Sequence, residues 1–243
     1  MGDKLNINDL KIDSKARYEI IAERLENIIL NDRSKVEQKL PSEPFLAEAF
    51  GVSRPVIREA IKILKERGLI KSRQGASTVI TKPDTDTLAK NINRIVISES
   101  IKPSEIYQIR ILLETYSVSL AAQNRTDENI KRMKMLNEKF VSKEFTPEEM
   151  AEYDISFHTE IANASDNMLL KAILASVSVI LKPILVEIYE SEKIDEHGYE
   201  FHKKIIGAIE CGDVEEASEI MRAHLLLSAR NYEFVKENEH ENI

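Results

Sequence analysis

The chain is poor in residues that break helices or staple loops. It has seven Gly, seven Pro and one Cys in 243 residues. So few breakers exclude a long breaker-rich linker and favour helices joined by short loops. The lone Cys211 excludes an internal disulfide and leads to the expectation of a cytoplasmic protein with a reduced thiol. No uninterrupted run of about 18 apolar residues occurs, so no membrane-crossing helix and no membrane partner are expected. The opening stretch, residues 1–15, is polar and lacks the apolar centre of a secretory signal. No internal repeat or low-complexity segment is evident. With 42% hydrophobic and 31% charged residues, the composition is that of one large or two ordinary globular domains.

Positive charge is also scarce overall, since the net charge is −8. That would argue against a nucleic-acid partner if it were uniform, but it is not. Residues 1–82 carry 16 basic and 12 acidic side chains, and residues 83–243 carry 18 and 30. Within residues 51–82 the balance is eight to two. Attraction to phosphate is screened over short distances in salt, so the local surplus outweighs the total.

What is present is mostly helical periodicity. Ile20, Ile21, Leu25, Ile28 and Ile29 predict a helix over 15–30, followed by a polar loop to Lys39. Ser42 and Pro44 open a second helix that Gly51 stops. A third starts after Ser53, its N-cap, with Ile57, Ala60, Ile61 and Leu64 inward and Arg54, Arg58, Lys62 and Lys65 on an outward arc. Gly68 ends it, and residues 69–72 and 77–81 read as two strands around Arg73-Gln74-Gly75-Ala76. A connector with a helix from about Asp86 to Ile97 follows. Helices are then expected over 104–123, 126–142, 146–164, 167–191, 197–210 and 213–234, with a frayed polar tail from Lys236. On the first of these, Ile106, Ile109, Leu113, Tyr116 and Leu120 share one face, taken as inward, with Arg110 at its edge.

A helix, a short turn, a basic helix and a hairpin form a DNA-reading layout. Its second helix enters the major groove with its N-terminal residues at the bases. Arg54 and Arg58 stand there, and arginine can donate two hydrogen bonds to guanine. Lys62 and Lys65 should meet phosphate, and Arg73 and Gln74 the neighbouring backbone or minor groove.

The segment from Leu40 to Ile80 resembles the winged helix–turn–helix of the GntR family of bacterial transcription regulators. The resemblance lies in Leu40-Pro41-Ser42-Glu43, Leu46-Ala47, Gly51-Val52-Ser53-Arg54, Arg58-Glu59-Ala60, Leu64 and Gly68-Leu69. It implies DNA contacts by Arg54, Arg58, Gln74 and Gly75, with Ser53 beside them. The chain departs from the family at Pro44 and Phe45, where an arginine and a glutamate are usual.

In the acidic remainder, Asp154 and His158 share a helix face at i, i+4. His202 borders the stripe Phe201, Ile205 and Ile209, and His224 lies within Ala217, Ile220, Met221 and Leu225. Inward polar groups of this kind need each other or a ligand. Imidazole with carboxylate suits zinc, nickel, manganese or iron. His197 and His240 show no such placement.

This half resembles the C-terminal domain of the FCD branch of the same family. The carriers are Arg110-x-x-x-Glu114 with Ala121-Ala122, Asp154-x-x-Phe157-His158, Ala164-Ser165-x-Asn167, His202-x-x-Ile205, Gly212-Asp213 and Met221-x-x-His224-Leu225. The resemblance implies a divalent metal, zinc first, held by Asp154, His158, His202 and His224. It also implies a small carboxylate effector near the metal, met by Arg110.

The expected fold is mainly α: a winged helix–turn–helix over 15–82, then an all-α antiparallel bundle over 103–235. Residues 1–14, 83–102 and 236–243 are expected as flexible N-terminus, linker and tail. The expected function is a homodimeric transcriptional repressor on a near-palindromic double-stranded operator, with no enzymatic activity. The alternatives are a metal-dependent hydrolase, for which no HExxH-type spacing exists, or a helical interaction protein with no DNA role.

Overall fold

The computed structural model describes residues 16–32, 35–72, 78–81, 85–140, 145–191 and 197–241. The chain divides into two compact units, Met1–Thr87 and Leu88–Ile243.

The first unit holds helices α1 (Arg17–Asn31), α2 (Glu43–Phe50) and α3 (Arg54–Glu66) and strands β1 (Ile70–Ser72) and β2 (Thr78–Ile80). Its core joins Ile21, Leu25 and Ile29 of α1 to Ile57, Ala60 and Leu64 of α3, closed by Leu46, Leu69 and Ile80. Ile57 and Leu64 are fully buried, which stabilises the unit by about 1.5–3 kcal/mol each. The turn between α2 and α3 works because Gly51 takes a left-handed φ of 64°, where a Cβ is costly. Ser42 caps α2, its hydroxyl accepting from the Phe45 N–H at 3.4 Å. Ser53 occupies the N-cap of α3, but its hydroxyl makes no cap bond.

The strands pair antiparallel, Ile70 with Ile80 and Ser72 with Thr78. The stretch read as a polar loop up to Lys39 does more than connect. The Glu37 N–H donates to the Ile80 carbonyl and the Leu40 N–H to that of Thr78, each at 2.8 Å. It lies along β2 as a third strand-like segment, bridged at Lys39 and Val79.

Helix α4 (Thr85–Ser98) begins at the end of the first unit, and the second unit is helical among its described residues: α4 from Leu88 on, α5 (Pro103–Asn124), α6 (Asp127–Phe140), α7 (Pro147–Ala164), α8 (Met168–Glu190), α9 (His197–Cys211) and α10 (Val214–Glu241). One core cluster gathers Val118, Met133, Phe157, Ile161, Ile205, Ile209, Met221 and Leu225. A second gathers Ile106, Tyr107, Ala151, Leu181 and Leu185, with Ile92 and Val96 of α4 against it. Those two residues give most of the expected connector a place in this unit. Arg125 joins the ends of two helices, donating to the carbonyls of Ala122 at 2.7 Å and Glu210 at 3.2 Å. Its guanidinium comes within 3.0 Å of where a Cβ on Gly212 would stand, and Gly212 has φ 77°. The left-handed backbone favours glycine there, and a Cβ would press on the Arg125 guanidinium.

Two sequence expectations are corrected and one is sharpened. First, α5 is turned away from its supposed inward stripe. Of that stripe Ile106 is buried, but Ile109 and Tyr116 are 51% and 57% exposed and Leu113 and Leu120 only partly buried, while the neighbouring Leu112 is 67% exposed. The buried face is Ile106, Tyr107, Arg110, Glu114, Ser117, Val118, Ala121 and Ala122. Its small residues admit α10 closely, and its charged ones line the site below. Second, α8 is long and apolar enough, by length and composition, to cross a membrane. Here it packs as a core helix, with Leu174, Ile180, Leu181, Ile184, Leu185 and Ile188 buried. Met168, Leu169 and Val179 of the same helix are exposed. Third, α10 continues past Lys236 to Glu241, and Lys236 pairs with Glu187 of α8 at 2.7 Å.

Candidate DNA-binding face and metal centre

On the first unit, Ser53, Arg54, Arg58, Lys62 and Lys65 are all exposed along one side of α3, as the sequence indicated. They stand from its N-terminus onward, the end that meets bases in such motifs. Arg58 is not idle: its Nε donates to Glu43 Oε2 at the start of α2, at 2.8 Å. Phe45, in the place of a usual glutamate, is 60% exposed. Arg73, Gln74 and Gly75 lie outside the described residues.

The second unit brings four expected residues together. Asp154 and His158 come from α7, His202 from α9 and His224 from α10, and all four are buried. His224 Nε2 lies 3.3 Å from both His158 Nε2 and His202 Nε2. Asp154 Oδ1 lies 3.4 Å from His202 Nε2 and 3.7 Å from His158 Nε2. The four donors thus close a ring, and one donor atom from each residue can be chosen with all four within 4.8 Å. A ring with such edges surrounds a point about 2.1 Å from each donor if folded to a tetrahedron and about 2.4 Å if flat, against roughly 2.0–2.2 Å for zinc bonds to nitrogen and oxygen. The donor set and its spacing therefore fit a divalent ion of the imidazole-binding class. A flatter ring also leaves its two faces open to water or an anion.

Neighbouring rings hold the imidazoles. Phe157 stacks on His202 with centroids 3.9 Å apart, and Phe201 leans on His224 at 5.5 Å. Burial pushes the pKa values of His202 and His224 down, which leaves both as neutral ligands. Burial alone would push Asp154 up, but His158, His202 and Arg110 hold its carboxyl far below the usual range.

Arg110 lies beside the ring, on the buried face of α5. Its Nη2 is 3.6 Å from Asp154 Oδ2, its Nε bonds Glu114 Oε1, and its Nη1 is buried without a partner. Desolvation lowers its pKa, but Glu114 and Asp154 outweigh that and keep it charged.

Three residues given no role in the sequence reading belong to this site. Glu114 touches both Arg110 and His158 Nδ1. The Tyr189 hydroxyl donates to Asp154, and that of Tyr107 pairs with Ser228 at 2.9 Å. Of these only Glu114 carried a local signal, its i, i+4 spacing from Arg110.

Comparison with known proteins places both units. Residues 17–80 match the bacterial regulatory proteins of the gntR family, and residues 105–227 match the FCD domain. The chain is 30% identical to the HTH-type transcriptional regulator LutR of Bacillus subtilis over 203 residues, covering 82% of this chain and 93% of that protein. It is 27% identical to the HTH-type transcriptional repressor NanR of Escherichia coli K12, covering 90% and 86%. The solved structure of a Streptococcus agalactiae GntR superposes with a TM-score of 0.63 at 26% identity, over 88% of this chain and 99% of that one. A basic helix in a winged unit, joined to a helical unit with a buried polar centre, agrees with these relatives in making the chain a DNA-binding transcriptional regulator. The chain belongs to the GntR family, with a C-terminal FCD domain.

Proposed function

We propose that this regulator is a repressor that binds a near-palindromic operator as a homodimer and is controlled by a divalent metal and a small organic acid. Its working compartment is the bacterial cytoplasm. Arg54 and Arg58 read bases, with Ser53, Lys62 and the wing residues Arg73, Gln74 and Gly75 on the backbone or minor groove. Asp154, His158, His202 and His224 hold the ion, zinc before nickel, manganese or iron. The bound ion supplies a positive centre that attracts a carboxylate.

One observation supports the effector reading above the others. Arg110 is 1% exposed and still has a free guanidinium nitrogen beside the ring. A buried donor left unmade costs about 1–3 kcal/mol, and an incoming carboxylate would satisfy it. Switching then requires that the effector favour one arrangement of the paired DNA heads over the other, by as much as it shifts the equilibrium.

The dimer reading is supported by the exposed row Ile109, Leu112 and Tyr116. It borders the seam where Leu113 and Leu120 meet Leu170 and Leu174 of α8, and Met168 and Leu169 are exposed on that helix. An apolar patch of this kind marks an interaction surface, and a second copy can cover it by twofold symmetry.

The test combines elemental analysis of the purified protein with a thermal-shift panel of hydroxy, keto and sugar acids. Gel shifts on an operator selected from random DNA follow. His202→Ala should keep apo-state DNA binding and lose the response to the acid. Release of DNA by the acid that survives His202→Ala sinks the metal-effector reading.

A further inference from the structure

We propose that Glu114 is the positioning residue of the metal centre: it fixes His158 for coordination and ties Arg110 to the same circuit, and so sets the affinity for the ion. The inference rests on the metal reading above.

Glu114 is 5% exposed and lies one helical turn after Arg110 on α5. Its two oxygens have separate tasks, Oε2 against His158 Nδ1 and Oε1 against Arg110 Nε. Arg110 in turn reaches Asp154 at 3.6 Å. Asp154, Arg110, Glu114 and His158 therefore close a circuit in which two members are ring donors and two are not. Oε1 accepts from Arg110 and Oε2 lies against His158 Nδ1, on the far side of that imidazole from the ring, so Glu114 stands behind the ring rather than in it.

Imidazole can carry its single proton on either nitrogen. A carboxylate at Nδ1 selects the form with the proton there and leaves Nε2 as a lone pair. In His158 that Nε2 is the atom 3.3 Å from His224 Nε2. Without Glu114 the proton can move to Nε2, where the negative charge of Asp154, 3.7 Å away, favours it. A proton would then occupy the place of the ion. Glu114 decides this competition, and its charge also makes His158 a stronger donor.

A further consequence follows from charge. With a dication in the ring, Asp154, Glu114 and Arg110 leave the centre at a net charge of one positive unit, matched to one carboxylate. Glu114→Gln raises that by one unit. It should weaken the ion's hold while not weakening, at saturating metal, the hold on a simple anion. A purely structural role would weaken both.

The experiment measures Zn²⁺ affinity by competition with a chromophoric chelator in the full chain, together with the Co²⁺ visible absorption spectrum and acetate binding at saturating metal. Glu114→Gln should lower Zn²⁺ affinity about 10- to 100-fold and alter the Co²⁺ bands. Glu114→Asp, which keeps the charge, should fall between Gln and the wild type, and serves if the Gln variant does not fold without metal. Glu160→Gln is the control, because that buried α7 carboxylate bonds Asn129 and Asn163 and touches no ring donor. Wild-type affinity and bands in Glu114→Gln overturn the proposal alone, as does an equal loss in Glu160→Gln. A wild-type chain that binds neither Zn²⁺ nor Co²⁺ overturns the metal reading and this inference together.

Discussion

Replacing Arg110 by Ala tests how the second unit tolerates its buried charge. The guanidinium stands between the carboxylates of Glu114 and Asp154, whose side chains are 7% and 3% exposed. Removing it takes away the fixed cation between two buried anions and leaves them with His158, His202 and the Tyr189 hydroxyl as neighbours. Breaking a buried pair by deleting one partner costs about 3–5 kcal/mol. In a unit of this size each kcal/mol lowers Tm by about 2–4 °C, so the metal-free variant should melt roughly 6–20 °C below the wild type. A dication among the same carboxylates replaces part of the lost positive charge. The deficit should therefore shrink when Zn²⁺ is added, beyond the stabilisation that saturation gives the wild type, about 2.7 kcal/mol at a hundredfold excess over Kd. The assay is a pair of calorimetric melts, one with chelator and one with Zn²⁺. A metal-free Arg110→Ala melt within about 2 °C of the wild type would refute the reasoning, because the two carboxylates would then not depend on that cation.

Three other outcomes are expected. His202 and His224 have pKa values held below the ordinary 6.5, so the unfolded chain binds more protons below that pH; metal-free stability should start to fall as pH drops through 6.5. Asp154 and Glu114, also held low, should add a second loss below their ordinary 3.8 and 4.5, and urea midpoints across pH 3–8 measure both. Arg54→Ala should cost about 1–3 kcal/mol of operator affinity and relax base choice at one position, read by binding to single-base operator variants. Leu112→Glu, at a position 67% exposed, should leave the melt of the unit nearly unchanged but yield monomers in analytical ultracentrifugation; a persisting dimer would place the interface elsewhere.

The boundaries of most helices were legible because their caps and stops are local chemistry: Ser42 before α2, Gly51 and Gly68 after helices, Asn167 accepting from Leu170 at the start of α8. The ring of donors was legible for a related reason. Asp154 and His158 share a face on one helix, and His202 and His224 each sit at or within an apolar stripe. The facing of α5 was not legible. Periodicity reveals that a helix has an apolar side, but not whether the same chain or a second molecule covers it. Arg110, Glu114 and Ser117 could turn inward because the partners that satisfy the charged pair come from α7, more than forty residues away. The pairing of residues 37–40 with β2 was hidden in the same way, since nothing in that polar stretch announces its partner strand.

The bond between Arg58 and Glu43 bears on how the protein searches a genome. To donate to a base, Arg58 must leave a carboxylate 2.8 Å away, and on the wrong sequence nothing compensates that exchange. While the pair holds, Arg58 offers little net charge to phosphate, and each phosphate contact withheld lowers the dependence of log K on log salt by about 0.9. On the proposed reading of Arg58 as a base contact, Glu43 loosens the grip on the vast excess of irrelevant DNA more than the grip on the operator. The head dwells less between targets, and the time spent at a correct site becomes a larger share of the whole.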